Sequence, residues 1–156
     1  MRDDWIVRTL GATDLAPLRE LLQVFGRAFE DPDRYTGNPP PDAYLARLLG
    51  SDSFVAIAAI AGGAVVGGLT GYVLPKPEQA CAELYLYDLA VDERHRRQGI
   101  ATALIAELRR VAAARGIDVI FVQADLGDDP AINLYTKLGM REDVLHFDIL
   151  PSAEGR

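Results

Sequence analysis

The sequence predicts an α/β fold, a mixed central sheet flanked by helices, in a single domain covering residues 1–156. Segments with a two-residue apolar alternation and segments with a helical period succeed one another along the chain. Two apolar runs joined by Gly62-Gly63 give an antiparallel hairpin. A third apolar run leads through a basic, glycine-containing turn into a long amphipathic helix.

Trp5–Thr9 reads as a short strand. Thr13 or Asp14 can cap a helix running to about Ala28, with Leu15, Leu18, Leu22, Phe25 and Phe29 on one face. Pro17 is tolerated in its first turn. Residues 30–35 and 38–42 form a polar, proline-rich loop, and a short helix over residues 42–49 follows. The hairpin strands cover residues 54–60 and 64–74, after which Pro75 and Pro77 break the pattern. Residues 83–91 form the next strand. Ala101, Leu104, Ile105, Leu108, Val111 and Ala112 lie at helical spacing, and Gly116 stops that helix. Residues 118–124 are again strand-like, and residues 125–129 are an acidic turn. Pro130 starts a helix that Gly139 ends, and residues 144–150 read as a last strand. The predicted order is β-α-α-β-β-β-α-β-α-β.

A chain of 156 residues with 49% apolar content suits one soluble domain with a real core. The net charge of −7 argues against a general nucleic-acid binder, whose phosphate-neutralising surface is missing. It favours cationic partners, although solubility alone also accounts for an acidic balance. Cys81 is the single cysteine, so no internal disulfide is expected. With His95 and His146 it has no metal-ligand spacing, and no metal is expected. The first residues lack the apolar core of a secretory signal and no run approaches membrane-spanning length, so a cytoplasmic protein without a membrane partner is expected.

The most informative stretch is Arg96, Arg97, Gln98, Gly99, Ile100 and Ala101, between the strand and the long helix. The first amides of a helix have no intrahelical partner, and its dipole makes that end positive. Gly99 allows close backbone approach, Ala101 keeps the next turn narrow, and Arg94, Arg96 and Arg97 add cations to an otherwise acidic chain. A diphosphate is the natural occupant. The same residues also read as an ordinary basic turn before a helix. Neither G-x-G-x-x-G after a strand nor G-x-x-x-x-G-K-[ST] occurs, which disfavours dinucleotide and nucleoside-triphosphate folds.

With this element order, Asp88-Leu89-Ala90-Val91 before the turn, R-x-x-G-x-A within it, and Asn133, Tyr135 and Gly139 beyond it, the chain resembles the GNAT superfamily of acyl-CoA-dependent N-acetyltransferases. Residues 72–76, 87–91, 122–130 and 145–149 further resemble the class I aminoglycoside 3-N-acetyltransferases, the gentamicin-resistance enzymes. The resemblance implies acetyl transfer from acetyl-CoA to the 3-amino group of the deoxystreptamine ring. It does not follow from composition or spacing.

The resemblance implies a role for each candidate. Amides of residues 96–101 grip the coenzyme pyrophosphate, and the Thr102 hydroxyl adds a donor or simply faces solvent. Leu89, Ala90 and Val91 offer backbone to the pantetheine amides, and the Leu89 N–H polarises the thioester carbonyl. Tyr135 protonates the departing thiolate, or is a core aromatic in step with Ile132 and Leu138. Asn133 is a coenzyme contact or a plain polar residue of the first helical turns. An ammonium acceptor must lose a proton, and Glu83 and Asp125 are the candidate bases, or else strand-end charges. Asp128, Asp129 and Asp148 are candidates for a cation-binding rim. Glu30, Asp31 and Asp33 either close that rim or are solvated loop charge. Cys81 has no activating neighbour and reads as passive. His95 is expected in solvent, and His146 reads equally as core or site. The resemblance leaves a homodimer open, with the strand at residues 144–150 serving a shared sheet. Two other readings remain: an N-acetyltransferase for a polyamine or another small cationic amine, and a non-catalytic acyl-CoA-binding or protein-interaction domain.

Overall fold

Alternating apolar residues build a five-stranded sheet in the computed structural model, which describes residues 4–153. The strands are β1 (Trp5–Thr9), β2 (Phe54–Ala61), β3 (Ala64–Pro75), β4 (Ala82–Val91) and β5 (Val119–Val122), and they neighbour one another in chain order. The first four are antiparallel and β5 runs parallel to β4, so the sheet has the predicted mixed direction. Gly62 and Gly63, at φ +56° and +80°, turn the chain from β2 to β3 as a two-glycine hairpin requires. The parallel step from β4 to β5 needs a crossover, which α4 (Ile100–Ala114) supplies.

The remaining helices are α1 (Leu15–Ala28), α2 (Pro32–Thr36), α3 (Asp42–Leu49) and α5 (Asp129–Leu138). The helix α2 lies where the sequence reads as loop. Asp31 accepts the Arg34 N–H at 3.3 Å, and Pro32 supplies a first helical residue whose φ is already set.

Both faces of the sheet are covered. Leu18, Leu21, Val24 and Phe25 of α1 and Leu45 and Leu49 of α3 pack with Phe54, Ala56 and Ala58 of β2. The intervening Val55, Ile57 and Ala59 are buried too, and α4 packs against the sheet with Ile100, Leu104, Leu108 and Ala112 inside. Continuous burial along β2 is the signature of a strand covered on both sides. Gly68 lets α1 come this close. A Cβ there would stand 2.5 Å from Leu21 Cδ1 and 2.6 Å from the Ile57 carbonyl oxygen.

The strand β4 carries one irregularity. Thr70 of β3 is opposite Asp88, whereas Gly71 is opposite Leu86, so Tyr87 is an extra residue. Such a bulge shifts the alternation of every later residue in the strand.

The chain packs as two compact units, one ending at Gln123 and carrying the whole sheet, the other beginning at Ala124. The second holds an acidic turn, α5 and an irregular C-terminal run. The expected strand at residues 144–150 does not form, and Leu145, Phe147 and Ile149 are 82%, 74% and 90% exposed. Alternation gives these residues strand propensity, but no strand among the described residues pairs with them, and a ladder needs two strands. No helix among the described residues is long and apolar enough to cross a membrane.

Candidate functional site

β5 pairs with β4 at Glu83, Leu84, Tyr85 and Leu86 and ends there, while β4 continues to Val91. The Asp92 N–H donates to the Val66 carbonyl at 2.7 Å. Antiparallel alternation therefore turns Ala90 toward β3, and Leu89 and Val91 toward the opposite edge. That edge has no strand partner beyond Leu86 among the described residues. Arg96 reaches the same edge, its Nε donating to the Val91 carbonyl at 3.2 Å.

A 3₁₀ turn at Glu93–His95 follows, with the Asp92 carboxylate accepting the Arg94 N–H at 3.4 Å. Arg97 (φ +63°) and Gly99 (φ +85°) then adopt left-handed backbone and bring the chain into α4. Gly99 is the N-cap and offers no capping side chain. The first intrahelical bond is Ala103 N–H to the Gly99 carbonyl at 3.0 Å, which leaves the amides of Ile100, Ala101 and Thr102 as donors without a helical acceptor. A Cβ on Gly99 would meet no protein atom within 4 Å, so this glycine serves backbone conformation and access. Arg94, Arg96, Arg97 and Thr102 are exposed and Gln98 is half-buried. The arrangement suits a multiply charged anion. His95, expected in solvent, is half-buried.

The second feature is a cavity of about 210 Å³ between the sheet and α1, α2 and α3. Its polar end is Asp88. The Tyr35 hydroxyl donates to both carboxylate oxygens, at 3.2 and 3.1 Å. Burial pushes the Asp88 carboxyl above its ordinary value, while the Tyr35 hydrogen bond and the Arg34 charge pull it down. Burial, with the Asp88 charge adding to it, pushes Tyr35 up to about 12. Aromatic rings floor this face. Phe54, Tyr72, Tyr85 and Phe121 stand opposite one another across four strands. Tyr87 completes the row, with ring centroids 5.6 Å from Tyr72 and 5.5 Å from Tyr85.

Asp88 and Tyr35 were not among the sequence candidates. Glu83 and Tyr85 share the α1 side of β4, and simple alternation would send Asp88 to the α4 side. The extra residue at Tyr87 returns Asp88, with Tyr87, to the cavity. The available signal was an aspartate in the middle of the strand, away from the strand end where Glu83 lies.

The other candidates divide between the units. In the first, the carboxylate of Glu83 lies 3.5 Å from Lys76 Nζ, which also pairs with Glu78 at 3.2 Å. The Cys81 thiol is pushed up by a hydrogen bond to Asp118 and by desolvation, which suits an unreactive cysteine. In the second, Asp128 caps α5 by accepting the Ala131 N–H at 3.4 Å, and Asp129 lies in that helix's first turn. Asp125 is exposed, its carbonyl accepting the Asp128 N–H at 3.1 Å, and Asn133 is exposed on α5. Tyr135 is half-buried, and burial and the Asp128 charge push it up to about 12. His146 and Asp148 are exposed, with Nε2 and Oδ1 2.9 Å apart. Among the described residues no His, Cys, Asp and Glu cluster is placed to hold a metal.

A sequence profile of the acetyltransferase (GNAT) family matches residues 18–140. The chain is 32% identical over 89 residues to an N-alpha-acetyltransferase of Sulfurisphaera tokodaii, covering 50% of this chain and 53% of that protein. It is 31% identical over 74 residues to the ribosomal protein bS18-alanine N-acetyltransferase of Escherichia coli K12, covering 47% and 50%. The chain thus spans about half the length of the curated relatives it matches. Among solved structures, it is similar to an aminoglycoside acetyltransferase from an uncultured soil metagenomic sample, with a TM-score of 0.93 and 54% identity over 96% of this chain and 99% of that one. A second aminoglycoside acetyltransferase from such a sample, solved with sisomicin, gives a TM-score of 0.87 and 31% identity over 95% and 97%.

Proposed function

The chain belongs to the acetyltransferase (GNAT) family, and on that premise we propose that it transfers the acetyl group of acetyl-CoA to the 3-amino group of gentamicin-type aminoglycosides. The observation that carries the aminoglycoside substrate is the 54% identity, over nearly the full length of both chains, to an aminoglycoside acetyltransferase, while the 3-amino position follows from the resemblance at residues 72–76, 87–91, 122–130 and 145–149. Such an enzyme confers resistance by modifying the drug in the cytoplasm.

Acetyl-CoA supplies an activated acyl group on sulfur. The amides of Ile100, Ala101 and Thr102 and the guanidiniums of Arg96 and Arg97 hold its diphosphate, and the geometry of the α4 start supports this. The edge of β4 at Leu89 and Val91 takes the pantetheine amides, and the Leu89 N–H polarises the thioester carbonyl. Asn133 contacts the coenzyme. A carboxylate, Glu83 or Asp125, removes a proton from the acceptor ammonium, and the neutral nitrogen attacks the carbonyl carbon. A C–N bond forms, the C–S bond breaks, the Tyr135 hydroxyl gives its proton to the thiolate, and the second proton shed by the acylated nitrogen restores the tyrosine. A phenol held up to about 12 stays protonated at neutral pH, as a donor must. Asp128, Asp129 and Asp148 attract the polycationic drug. The enzyme works as a homodimer, a reading supported by the exposed apolar side chains at residues 144–150.

The test is thiol release from acetyl-CoA in the presence of gentamicin, kanamycin, spermidine or a peptide amine, with the product located by NMR. Acetyl on the gentamicin 3-nitrogen is expected. Acetyl on another nitrogen rejects the regiochemistry, and turnover only with spermidine or the peptide rejects the substrate class.

A further inference from the structure

The cavity above β4 is built from chemistry that the transfer steps do not use. Among the described residues that line it, Asp88 is the only carboxylate, and the Tyr35 hydroxyl lies 3.1 and 3.2 Å from its two oxygens. One donor shared between two oxygens leaves lone pairs on both for a second donor. Arg34, on the wall, favours the ionised carboxylate. Tyr72 and Tyr87 also line the space, and their rings meet at 88° with centroids 5.6 Å apart. They are 38% and 48% exposed, so the cavity is reached from outside. Lone pairs on a fixed carboxylate beside aromatic rings are the recognition chemistry of an alkylammonium: the charge pairs with the carboxylate and its flanks lie on electron-rich π faces. An anionic ligand would meet the carboxylate, and a neutral apolar one would leave it unpaired.

We propose that Asp88, held by Tyr35 and walled by Tyr72 and Tyr87, is the seat for a protonated, non-reacting amino group of the acceptor. The seat determines which polyamines bind and in what orientation. This rests on the acceptor being a polycationic amine, as proposed for the transfer reaction. Asp88 directly precedes Leu89, so a drug anchored there by one ammonium brings a neighbouring amine toward the β4 edge. The base that deprotonates the reacting amine is a different group.

Two measurements test this independently. The first needs no turnover. Titrating the protein with 1,3-diaminopropane, a diammonium at neutral pH, should shift the Tyr72 and Tyr87 ring resonances saturably, with sodium chloride at equal ionic strength as the control. Asp88→Asn, which keeps the shape of the side chain, should abolish the shifts. Tyr72→Leu should weaken them several-fold. No specific shift in the unsubstituted protein, or equal shifts in Asp88→Asn, overturns the proposal. The second is steady-state kinetics with gentamicin. Asp88→Asn should raise KM by roughly 10- to 100-fold, the worth of a hydrogen bond to a charged group, with kcat within about twofold. A collapse of kcat at unchanged KM overturns the seat and makes Asp88 the base. If the unsubstituted enzyme acetylates no aminoglycoside but its tyrosines still respond to the diamine through Asp88, the reading of the substrate fails and the ammonium seat stands.

Discussion

Gly99 separates conformation from space, as the other left-handed glycines Gly62, Gly63, Gly116 and Gly127 do. Its φ of +85° disfavours any side chain, yet a Cβ there would meet no protein atom within 4 Å. Gly99→Ala should therefore cost only the left-handed strain, about 1–2 kcal/mol, and leave the fold intact. Gly99→Glu adds a negative charge at the donors that are read as holding the diphosphate. Calorimetry should show acetyl-CoA binding weakened modestly by the first change and lost with the second. Equal affinity in both variants and the parent would remove the diphosphate from this turn. Tyr135 poses a different question, because a core ring and a proton donor both profit from burial. Tyr135→Phe keeps the ring and removes only the hydroxyl. Loss of a general acid should lower kcat by roughly 10²-fold with little change in coenzyme affinity. The sign of the pH dependence comes from the raised value. The phenol keeps its proton up to about 12, so the enzyme should show no alkaline loss between pH 7 and 10 arising from Tyr135. A Phe variant with normal turnover would return the ring to packing.

Packing of α1 on the sheet depends on one missing side chain. At Gly68 a Cβ would lie 2.5 Å from Leu21 Cδ1 and 2.6 Å from the Ile57 carbonyl oxygen, and the carbonyl cannot swing aside as a flexible side chain does. Gly68→Val should destabilise by about 1–3 kcal/mol through overpacking, lowering the melting temperature by roughly 3–10 °C. An unchanged transition in calorimetry would show that α1 shifts freely. The sequence made the elements legible wherever periodicity was long: α1, α4, the hairpin at Gly62-Gly63 and the helix after Pro130 lie where their patterns put them. The turn at residues 96–101 was legible as a turn because a glycine before an amphipathic run marks a left-handed residue at a helix start. Short-range polar chemistry was harder to read. The helix α2 depends on the Asp31 cap, which looks like loop composition. The bulge at Tyr87 depends on pairing with β3 and left no mark on β4's own pattern, so Asp88 was assigned to a motif and not to a cavity. The alternation at residues 144–150 gave a strand its side chains but no partner among the described residues.

At the scale of the whole molecule, that last mismatch has an energetic consequence. In an extended run Leu145, Phe147 and Ile149 fall on one face, and in this chain they are 82%, 74% and 90% exposed. The 2.9 Å contact between His146 and Asp148 ties together two positions of the alternate face. A contiguous exposed apolar set marks an interaction surface, and each of these side chains gains about 1.5–3 kcal/mol when fully buried. Contributed by both copies of a symmetric dimer, they would supply roughly 9–18 kcal/mol, comparable with the 4–15 kcal/mol or more that association costs. Among the described residues β5 has β4 on one side only, and such an outer strand offers backbone donors and acceptors to a further strand. We therefore expect sedimentation velocity at micromolar concentration to show a dimer. Phe147→Asp combined with Ile149→Asp should convert it to a monomer whose circular dichroism is otherwise unchanged, because these side chains are exposed within one copy. A parent protein that sediments as a monomer at every concentration, or a double variant that remains dimeric, would exclude residues 144–150 as the interface.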